Sequence, residues 1–208
     1  IFPDLNESIQ NNADLYINKI NKKTDELNER IISKNFTDKK VIAMTWQKDF
    51  LEYFGLNVTF TYGPPQGLSA KDQLEIINQA KDQEISIIID NLQSGTDFGA
   101  RVASETGKTH VIFSNFPEAV PGTDTYLEMI DYNIDQLIKG IETYESSRGE
   151  ISSLKNQLSS LELQRNLFGI ISVIFLISAI IFYIMYKKKW LKMNNTLKEI
   201  EKFHGHLG

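Results

Sequence analysis

Between residues 5 and 34, apolar residues recur along one stripe, with Asn, Lys, Asp and Glu between them. The members of this stripe are Ile9, Ala13, Tyr16, Ile20, Leu27 and Ile31. Helical geometry places residues at these spacings on one face, so the pattern predicts an amphipathic helix. At 1.5 Å per residue the helix would be about 45 Å long, which is long for a globular domain.

Four short apolar runs follow this helix, separated from one another by helical patterns. The runs are KKVIAMTW (39–46), LNVTFTYG (56–63), EISIIID (84–90) and HVIF (110–113). They are rich in β-branched and aromatic residues, which favour strands. Strands that alternate with helices, two of them almost entirely hydrophobic, are typical of a parallel sheet covered on both faces. We therefore predict an α/β lobe with a four-stranded parallel sheet.

Three of the helical patterns carry a start signal, in which a Ser or Thr precedes an acidic residue by three positions. The pairs are Ser69 with Asp72, Ser94 with Asp97, and Thr125 with Glu128. The last helix then keeps its apolar residues at spacings of three and four, at Leu127, Ile130, Ile134, Leu137 and Ile141. These signals predict where the three helices begin.

Residues 167–186, LFGIISVIFLISAIIFYIMY, form a stretch of 20 residues without a charge. As a helix it would be about 30 Å long, the thickness of a bilayer core. The 20 residues before it carry three basic side chains, and the 20 after it carry six. We therefore predict a single-pass membrane protein. Because basic residues accumulate on the cytoplasmic side of a membrane helix, residues 1–166 are expected to be extracytoplasmic and residues 187–208 cytoplasmic.

A short apolar seam lies directly before the membrane segment, at Ile151, Leu154, Leu158 and Leu161. Its spacings of three, four and three match a heptad repeat and favour a helical stalk. A coiled-coil dimer would explain the seam, and so would one helix that simply continues into the membrane. The predicted organisation is a long helix (1–35), the α/β lobe (36–145), the stalk (146–166), one transmembrane helix (167–186) and a tail that could begin a further domain (187–208).

Composition and motifs exclude several classes of function. The chain has no cysteine, so neither a disulfide framework nor a cysteine-ligated zinc site is available. The formal net charge is −5 although the tail holds six lysines, so the preceding part is acidic and offers no basic surface to nucleic acid. No glycine-rich phosphate motif follows a predicted strand. We expect no enzyme, because the outer part holds a single histidine, His110, and no Ser/His/Asp set is credible. His110 starts a strand, at the wrong end of the sheet for a site, and is expected at the surface.

In parallel sheets, ligands bind beyond the carboxyl ends of the strands. The loop SNFPEAVPG follows the fourth strand and contains two prolines, so it has little conformational entropy left to lose on binding. We predict that Asn115 and Glu118 of this loop form one wall of a ligand site and that Met44 and Trp46 form another. The indole of Trp46 could stack on an organic or cationic ligand, or simply pack against its neighbours.

Five stretches of the chain, in order, resemble one protein family. They are the long helix, VIAMTWQKDFLEYFGLNVTFTYG, LSAKDQLEIINQAKDQEISIIIDNLQS, the ETG before the fourth strand, and TDTYLEMIDYNIDQL. Residues 1–141 are similar to the C-terminal lobe of the zinc and manganese substrate-binding proteins of ABC transporters. The resemblance implies the Rossmann-like half of a two-lobed binding protein, with a divalent zinc or manganese ion as the transported ligand and an ABC permease as partner. It also implies that residues 5–34 join the two lobes and that the first lobe precedes Ile1. We expect the chain to be an excerpt, because it begins without an initiator methionine.

The residues at this family's metal-ligand positions differ in this chain. The resemblance implies a histidine after the first strand, where Met44 stands, and a carboxylate after the fourth, where Asn115 stands. A thioether suits Cu(I) better than Zn²⁺ or Mn²⁺, and an amide lacks the negative charge that attracts a divalent ion. Three interpretations stay open: a hard divalent metal with Glu118 or Asp90 as substitute carboxylate, a soft metal, or another ligand or none.

The final residues, EKFHGHLG, resemble the start of the domain related to the E component of formylmethanofuran dehydrogenase. That resemblance implies metal ligands at His204 and His206, completed by residues further along a longer chain. Two imidazoles on either side of a glycine can share one metal ion. A solvated tail that ends in two histidines by chance explains the pattern equally well.

Two classes of function follow from this organisation. One is transport, in which a membrane-anchored extracytoplasmic binding protein delivers a metal ion to a permease. The other is signalling, in which the outer lobe senses a ligand and acts on a cytoplasmic domain through the stalk and one membrane helix. Transport is favoured, because the whole outer segment resembles the transporter family.

Overall fold

The computed structural model describes residues 3–204. These residues fall into two compact units, one that extends to Gly149 and one that begins at Glu150. The first unit contains a sheet and the helices that cover it, and the second is entirely helical over its described residues.

The first unit is built on a four-stranded sheet. Its strands are β1 (Lys40–Met44), β2 (Asn57–Tyr62), β3 (Ile85–Asn91) and β4 (Thr109–Phe113). Each neighbouring pair is parallel, and the order across the sheet is β2-β1-β3-β4. The α/β class and the four parallel strands are therefore confirmed. The chain winds one way from β1 to β2 and the other way from β3 to β4, so a crevice is expected where β1 and β3 end.

Helices cover both faces of this sheet. The helices are α1 (Pro3–Ser33), α2 (Lys48–Tyr53), α3 (Ala70–Ala80), α4 (Asp97–Thr106) and α5 (Tyr126–His204). Buried residues of α1, α2 and the early turns of α5 share one apolar cluster with Ala43 and Ile89. Buried residues of α3 and α4 share a second cluster with Ile42 and Ile88, on the opposite face. Because both faces of β3 are covered, all of its residues are buried, which explains its three consecutive isoleucines, Ile87 to Ile89.

Two of the three predicted helix starts are confirmed. The Ser69 Oγ accepts a hydrogen bond from the backbone N–H of Asp72 at 3.2 Å, and the Asp72 carboxylate accepts one from the backbone N–H of Ser69 at 3.0 Å. Hydrogen bonds with Ser69 hold the pKa of Asp72 below its usual value, the bond with the Ser69 hydroxyl being the largest cause. Thr125 and Glu128 form the same reciprocal pair, at 3.3 and 2.8 Å.

The predicted start at Ser94 is wrong. Ser94 ends a 3₁₀ turn, Leu92–Ser94, and its hydroxyl donates to the side chain of Asn91 at 3.3 Å. Gly95 then adopts a φ of 93°, and α4 begins only at Asp97. The Asn91 side chain also accepts from the backbone N–H of Gln93 at 3.1 Å, so the serine is engaged by a local turn and does not cap the helix.

The long first helix is confirmed, but only the C-terminal part of its apolar stripe is buried. Leu27 and Ile31 are fully buried, whereas Ile9 and Tyr16 are exposed. Ion pairs reinforce the buried part: Arg30 Nη1 lies 2.8 Å from Asp131 Oδ1 of α5, and a second pair joins Arg30 to Asp135. The hydrogen bond with Asp135 is the largest of the causes that raise the pKa of Arg30.

The second unit consists of the part of α5 from Glu150 onward. Within the described residues, α5 is the one helix that is long and apolar enough to cross a membrane. Its most apolar window is not buried by any other part of the described chain.

Candidate functional site

A pocket of about 220 Å³ lies beyond the carboxyl ends of β1 and β4, on the face that α2 and α5 cover. It is lined by Trp46, Gln47, Phe50, Phe113, Ser114, Asn115, Tyr126, Met129, Ile130 and Asn133. This position is the one that parallel α/β sheets use for ligands. The lining combines aromatic rings with neutral hydroxyl and amide groups and contains no charged side chain.

Aromatic side chains form the apolar part of the pocket. Trp46 lies in the 3₁₀ turn Thr45–Gln47 directly after β1, and its side chain is half exposed. Behind it, the Phe50 ring meets the Phe113 ring edge to face, with centroids 5.9 Å apart. The rigid inner rings and the half-exposed indole together provide a surface on which a flat or cationic group can stack.

Asn133 of α5 fixes the loop that follows β4. Its side-chain amide donates to the carbonyl of Ser114 at 2.8 Å and accepts from the backbone N–H of Ser114 at 2.9 Å. Gln93 supports the same loop, because its side-chain Oε1 accepts a hydrogen bond from the backbone N–H of Asn115 at 3.1 Å. The backbone of Asn115 is therefore held in place, although Asn115 as a whole is exposed to solvent.

Gln47 is a buried polar residue in the lining of the pocket. Its Nε2 donates to the backbone carbonyl of Asp90 at 3.2 Å, which ties the turn after β1 to the end of β3. Its Oε1 has no hydrogen-bond partner among the described residues. A buried acceptor without a partner destabilises a fold by about 1–3 kcal/mol, and a donor from a water, an ion or a ligand in the pocket would remove that cost.

The structure brings two of the four predicted ligand-site residues into one pocket. Trp46 and Asn115 line it, whereas Met44 and Glu118 do not. Met44 is fully buried on the opposite face of the sheet, and its sulfur accepts the backbone N–H of Asn91 at 3.3 Å. Glu118 is exposed on the loop, with a φ of 64° and its backbone N–H donated to the carbonyl of Thr123. A role for any of these residues in binding stays a prediction.

Asp90 and His110 meet on the face opposite the pocket. Asp90 has no exposed surface, and its two carboxylate oxygens lie 2.6 Å from the Tyr62 hydroxyl and 2.8 Å from His110 Nε2. The prediction that His110 is a surface residue is wrong, since its side chain is only 19% exposed. Sheet register places His110 beside Ile88, on the face that Asp90 shares, so the ring reaches the carboxylate. Asp90, considered as a substitute metal ligand, is thus already engaged and lies away from the pocket.

The buried Tyr62 is affected by the same cluster. Burial is the main reason that its pKa is raised, and the negative charge of Asp90 and their hydrogen bond raise it further. The phenol therefore stays protonated and acts as a donor to Asp90.

No group of three or more His, Cys, Asp or Glu side chains in the described residues is arranged to hold a metal ion. The polar atoms of the pocket are neutral oxygens and nitrogens and the Met129 sulfur, and such uncharged ligands bind a bare divalent ion weakly. His204 is the last residue of α5, and its side chain and the whole of His206 lie outside the described part of the chain. The proposed ligands there stay a prediction.

Several pocket residues were absent from the sequence prediction, namely Gln47, Tyr126 and Asn133. Asn133 carried a detectable signal, because it is a polar residue inside the regular apolar pattern at the start of α5. Gln47 and Tyr126 carried none, since their positions depend on how the turn after β1 and the start of α5 converge.

A parallel sheet covered on both faces, with a pocket beyond its carboxyl edge, defines an α/β ligand-binding lobe. The family model described as "Zinc-uptake complex component A periplasmic" matches residues 1–140, and the chain belongs to this family. No curated protein sequence matches the chain significantly.

Solved structures share the fold at low sequence identity. The periplasmic metal-binding protein of Candidatus Liberibacter asiaticus is 18% identical, with a TM-score of 0.56 over 67% of this chain and 54% of that one. Its cadmium-bound form gives 19% identity and a TM-score of 0.55, over 68% and 54%. A mutant of FpvC from Pseudomonas aeruginosa gives 21% and 0.51, over 68% and 53%. The chain thus spans about half the length of these structures, and the likeness shows the fold.

Proposed function

We propose that the chain is the C-terminal lobe and membrane anchor of an extracytoplasmic substrate-binding protein that serves a metal-ion ABC transporter. One observation carries the proposal: the family-matched residues form a ligand-binding lobe, and the same chain continues into an uncharged apolar helix. An apolar helix of this length can hold the lobe at the membrane, where a permease lies.

The transported substrate is, on this proposal, a zinc or manganese ion. The described lobe contributes Asn115 and the aromatic and amide surface around it, and it adds no anion or imidazole to the pocket. The stronger ligands are then expected from the other lobe of a two-lobed protein. A divalent ion held by one weak neutral ligand of this lobe would be released readily when the lobes separate, which suits delivery to a permease.

The anchor is assigned to residues 167–186. These 20 residues are uncharged, and three consecutive lysines, Lys187 to Lys189, follow at once. Lysines at one end of an apolar helix favour the cytoplasmic side. Residues 1–166 would then lie outside the membrane, where the family's periplasmic members operate.

Deletion of the gene in its own host, followed by radioactive zinc and manganese uptake, tests the proposal. We expect lower uptake of one of the two ions and weaker growth in chelator-treated medium, both restored by the intact gene. A gene that lacks the codons for residues 167–208 should restore metal uptake less completely, because the lobe would lose its membrane anchor. Unchanged uptake of both ions would contradict a transport role.

Signalling is the second candidate, and one observation favours it. A single helix, α5, contains both the pocket residues Tyr126 and Asn133 and the predicted membrane segment. A ligand that shifts such a helix could act on a cytoplasmic domain. Unchanged metal uptake together with an altered transcript profile in the deletion strain would favour this function over transport.

A further inference from the structure

The stalk presents an apolar seam to water. Ile151, Leu154, Leu158 and Leu161 are each between 54% and 63% exposed. They follow one another at spacings of three, four and three on α5, so they lie on one face of the helix. Exposing four large aliphatic side chains to water is unfavourable. Covering them would stabilise the chain by about 25 cal/mol for each Å² of apolar surface removed from water.

The same face continues into the apolar segment with small side chains. Five turns of a straight helix take about 18 residues, so Gly169, Ser172, Leu176 and Ala179 lie on the same face as the four seam residues, with Arg165 between the two sets. All of these four except Leu176 are small. Gly169 lies inside a helix, where glycine is about 1 kcal/mol less favourable than alanine. Apart from its chain neighbours and the backbone of its own helix, no described atom lies within 4 Å of the position that its Cβ would occupy, so nothing in the described chain requires a glycine there. Small residues on a membrane helix allow a second helix to approach closely.

Charges beside the seam indicate what the second helix is. With Ile151 and Leu158 at heptad positions a, Glu150 falls at g and Lys155 at the following e. In a parallel pair of identical helices, Glu150 of each copy faces Lys155 of the other, which gives two pairs of opposite charge. The seam is thus complementary to itself in the parallel orientation.

We propose that this chain forms a parallel homodimer through α5, with the seam at 151–161 and the small-residue face at 169–179 as one continuous interface. The orientation rests on the proposed membrane anchoring, because two copies inserted the same way must lie parallel and at the same depth. Confinement to the membrane also raises the effective concentration of the partner. A dimer would place two lobes on one anchor pair.

Cysteine cross-linking tests the dimer directly, because the chain contains no cysteine of its own. Leu158→Cys places a thiol in the seam, and Ser160→Cys places one on the opposite side of the same turn, two residues away. Oxidation of native membranes that contain the full chain should give at least tenfold more disulfide-linked dimer for Leu158→Cys. Equal yields, or no dimer with either variant, would overturn the proposal.

Charge reversal then tests the interface and its orientation. In the Leu158→Cys background, Glu150→Lys should lower the cross-linking yield, and the further change Lys155→Glu should restore it. Gly169→Leu should lower the yield as well, since a large side chain keeps the membrane helices apart. If none of the three changes alters the cross-linking yield, the cross-link at position 158 reflects random collision between chains and the proposed interface is wrong.

Carbonate extraction of the same membranes separates this inference from the proposed anchoring. Release of the chain at alkaline pH would contradict the anchor, whatever the cross-linking result. Retention of the chain with no preference for Leu158→Cys would contradict the dimer alone.

Discussion

The Nε2 of His110 lies 2.8 Å from the Oδ2 of Asp90, a carboxylate that has no exposed surface. The other oxygen accepts the Tyr62 hydroxyl, so three side chains from β2, β3 and β4 meet within one apolar cluster. A buried carboxylate is stable only with partners of this kind. The cluster therefore holds the sheet together beneath α4, on the face away from the pocket.

Removal of the carboxylate should destabilise the lobe. Asp90→Ala leaves the Tyr62 hydroxyl and His110 without their acceptor, and we expect a loss of about 3 kcal/mol in the free energy of unfolding. Glu84→Ala is the matched control, because it removes a carboxylate whose ion pair with Lys40 is at the surface, and it should destabilise the lobe much less. Urea unfolding of the full chain in detergent, followed by near-ultraviolet circular dichroism, measures both. Equal losses would contradict the structural role of Asp90.

Gly99 should tolerate no side chain. A Cβ at this position of α4 would lie 2.1 Å from Asp90 Oδ2, and the carboxylate is held by two partners and cannot move aside freely. Although alanine favours helices, we expect Gly99→Ala to destabilise the lobe by about 1–3 kcal/mol. Gly63→Ala is the control, since nothing lies within 4 Å of its added Cβ. The idea fails if both variants unfold at the same urea concentration.

The raised pKa of Tyr62 predicts a specific loss of stability in alkali. An unfolded tyrosine releases its proton at about pH 10, whereas the folded Tyr62 keeps it. Above that pH the unfolded chain binds fewer protons, so stability falls as pH rises, by up to about 1.4 kcal/mol per pH unit. Tyr62→Phe has no such proton, and its stability should fall less steeply between about pH 9 and pH 11. Parallel slopes in urea unfolding would count against the buried phenol.

One added negative charge should increase the affinity of the pocket for a metal ion. The full chain should bind zinc weakly, and Asn115→Asp should raise its affinity about tenfold or more, because it adds an anion to a neutral pocket. Asn57→Asp makes the same change in charge at the amino end of β2 and should have no effect. Met44→His should add nothing to Asn115→Asp, since Met44 is buried on the other face. Isothermal titration calorimetry with zinc measures these affinities. A higher affinity on adding Met44→His would indicate that position 44 can supply a metal ligand after all.

The lysines after the apolar segment predict the topology of the chain. In sealed cells, an external protease should remove the residues before Leu167 and leave the tail from Lys187 onward protected. An epitope placed at each end of the chain and detected by immunoblotting reports both outcomes. Permeabilised cells serve as the control, in which the tail should also disappear. Digestion of the tail in sealed cells would reverse the assignment.

Much of the architecture could be read from periodicity, because burial of apolar side chains imposes a local rule on each element. The isoleucine run of β3 predicted a strand covered on both faces, and the spacing of Leu127 to Ile141 predicted the packed part of α5. The two confirmed caps depend only on residues three apart. The uncharged 20-mer is likewise a local property, and it was recognised without any knowledge of the fold.

The site required the tertiary structure, because it is formed by residues distant in the chain. The alternation of side chains along β1 sends Met44 to the face opposite the pocket. Trp46 lies in the turn after β1 and lines the pocket together with Asn115. Moving the end of the strand by one residue would exchange the faces to which these side chains point. His110 looked solitary in the sequence, yet parallel register brings it to Asp90, 20 positions earlier. The local pattern of apolar and polar side chains was enough to predict the helices and strands. The pairing of buried polar groups depends on the register of strands and the approach of helices, so only the folded chain decided it.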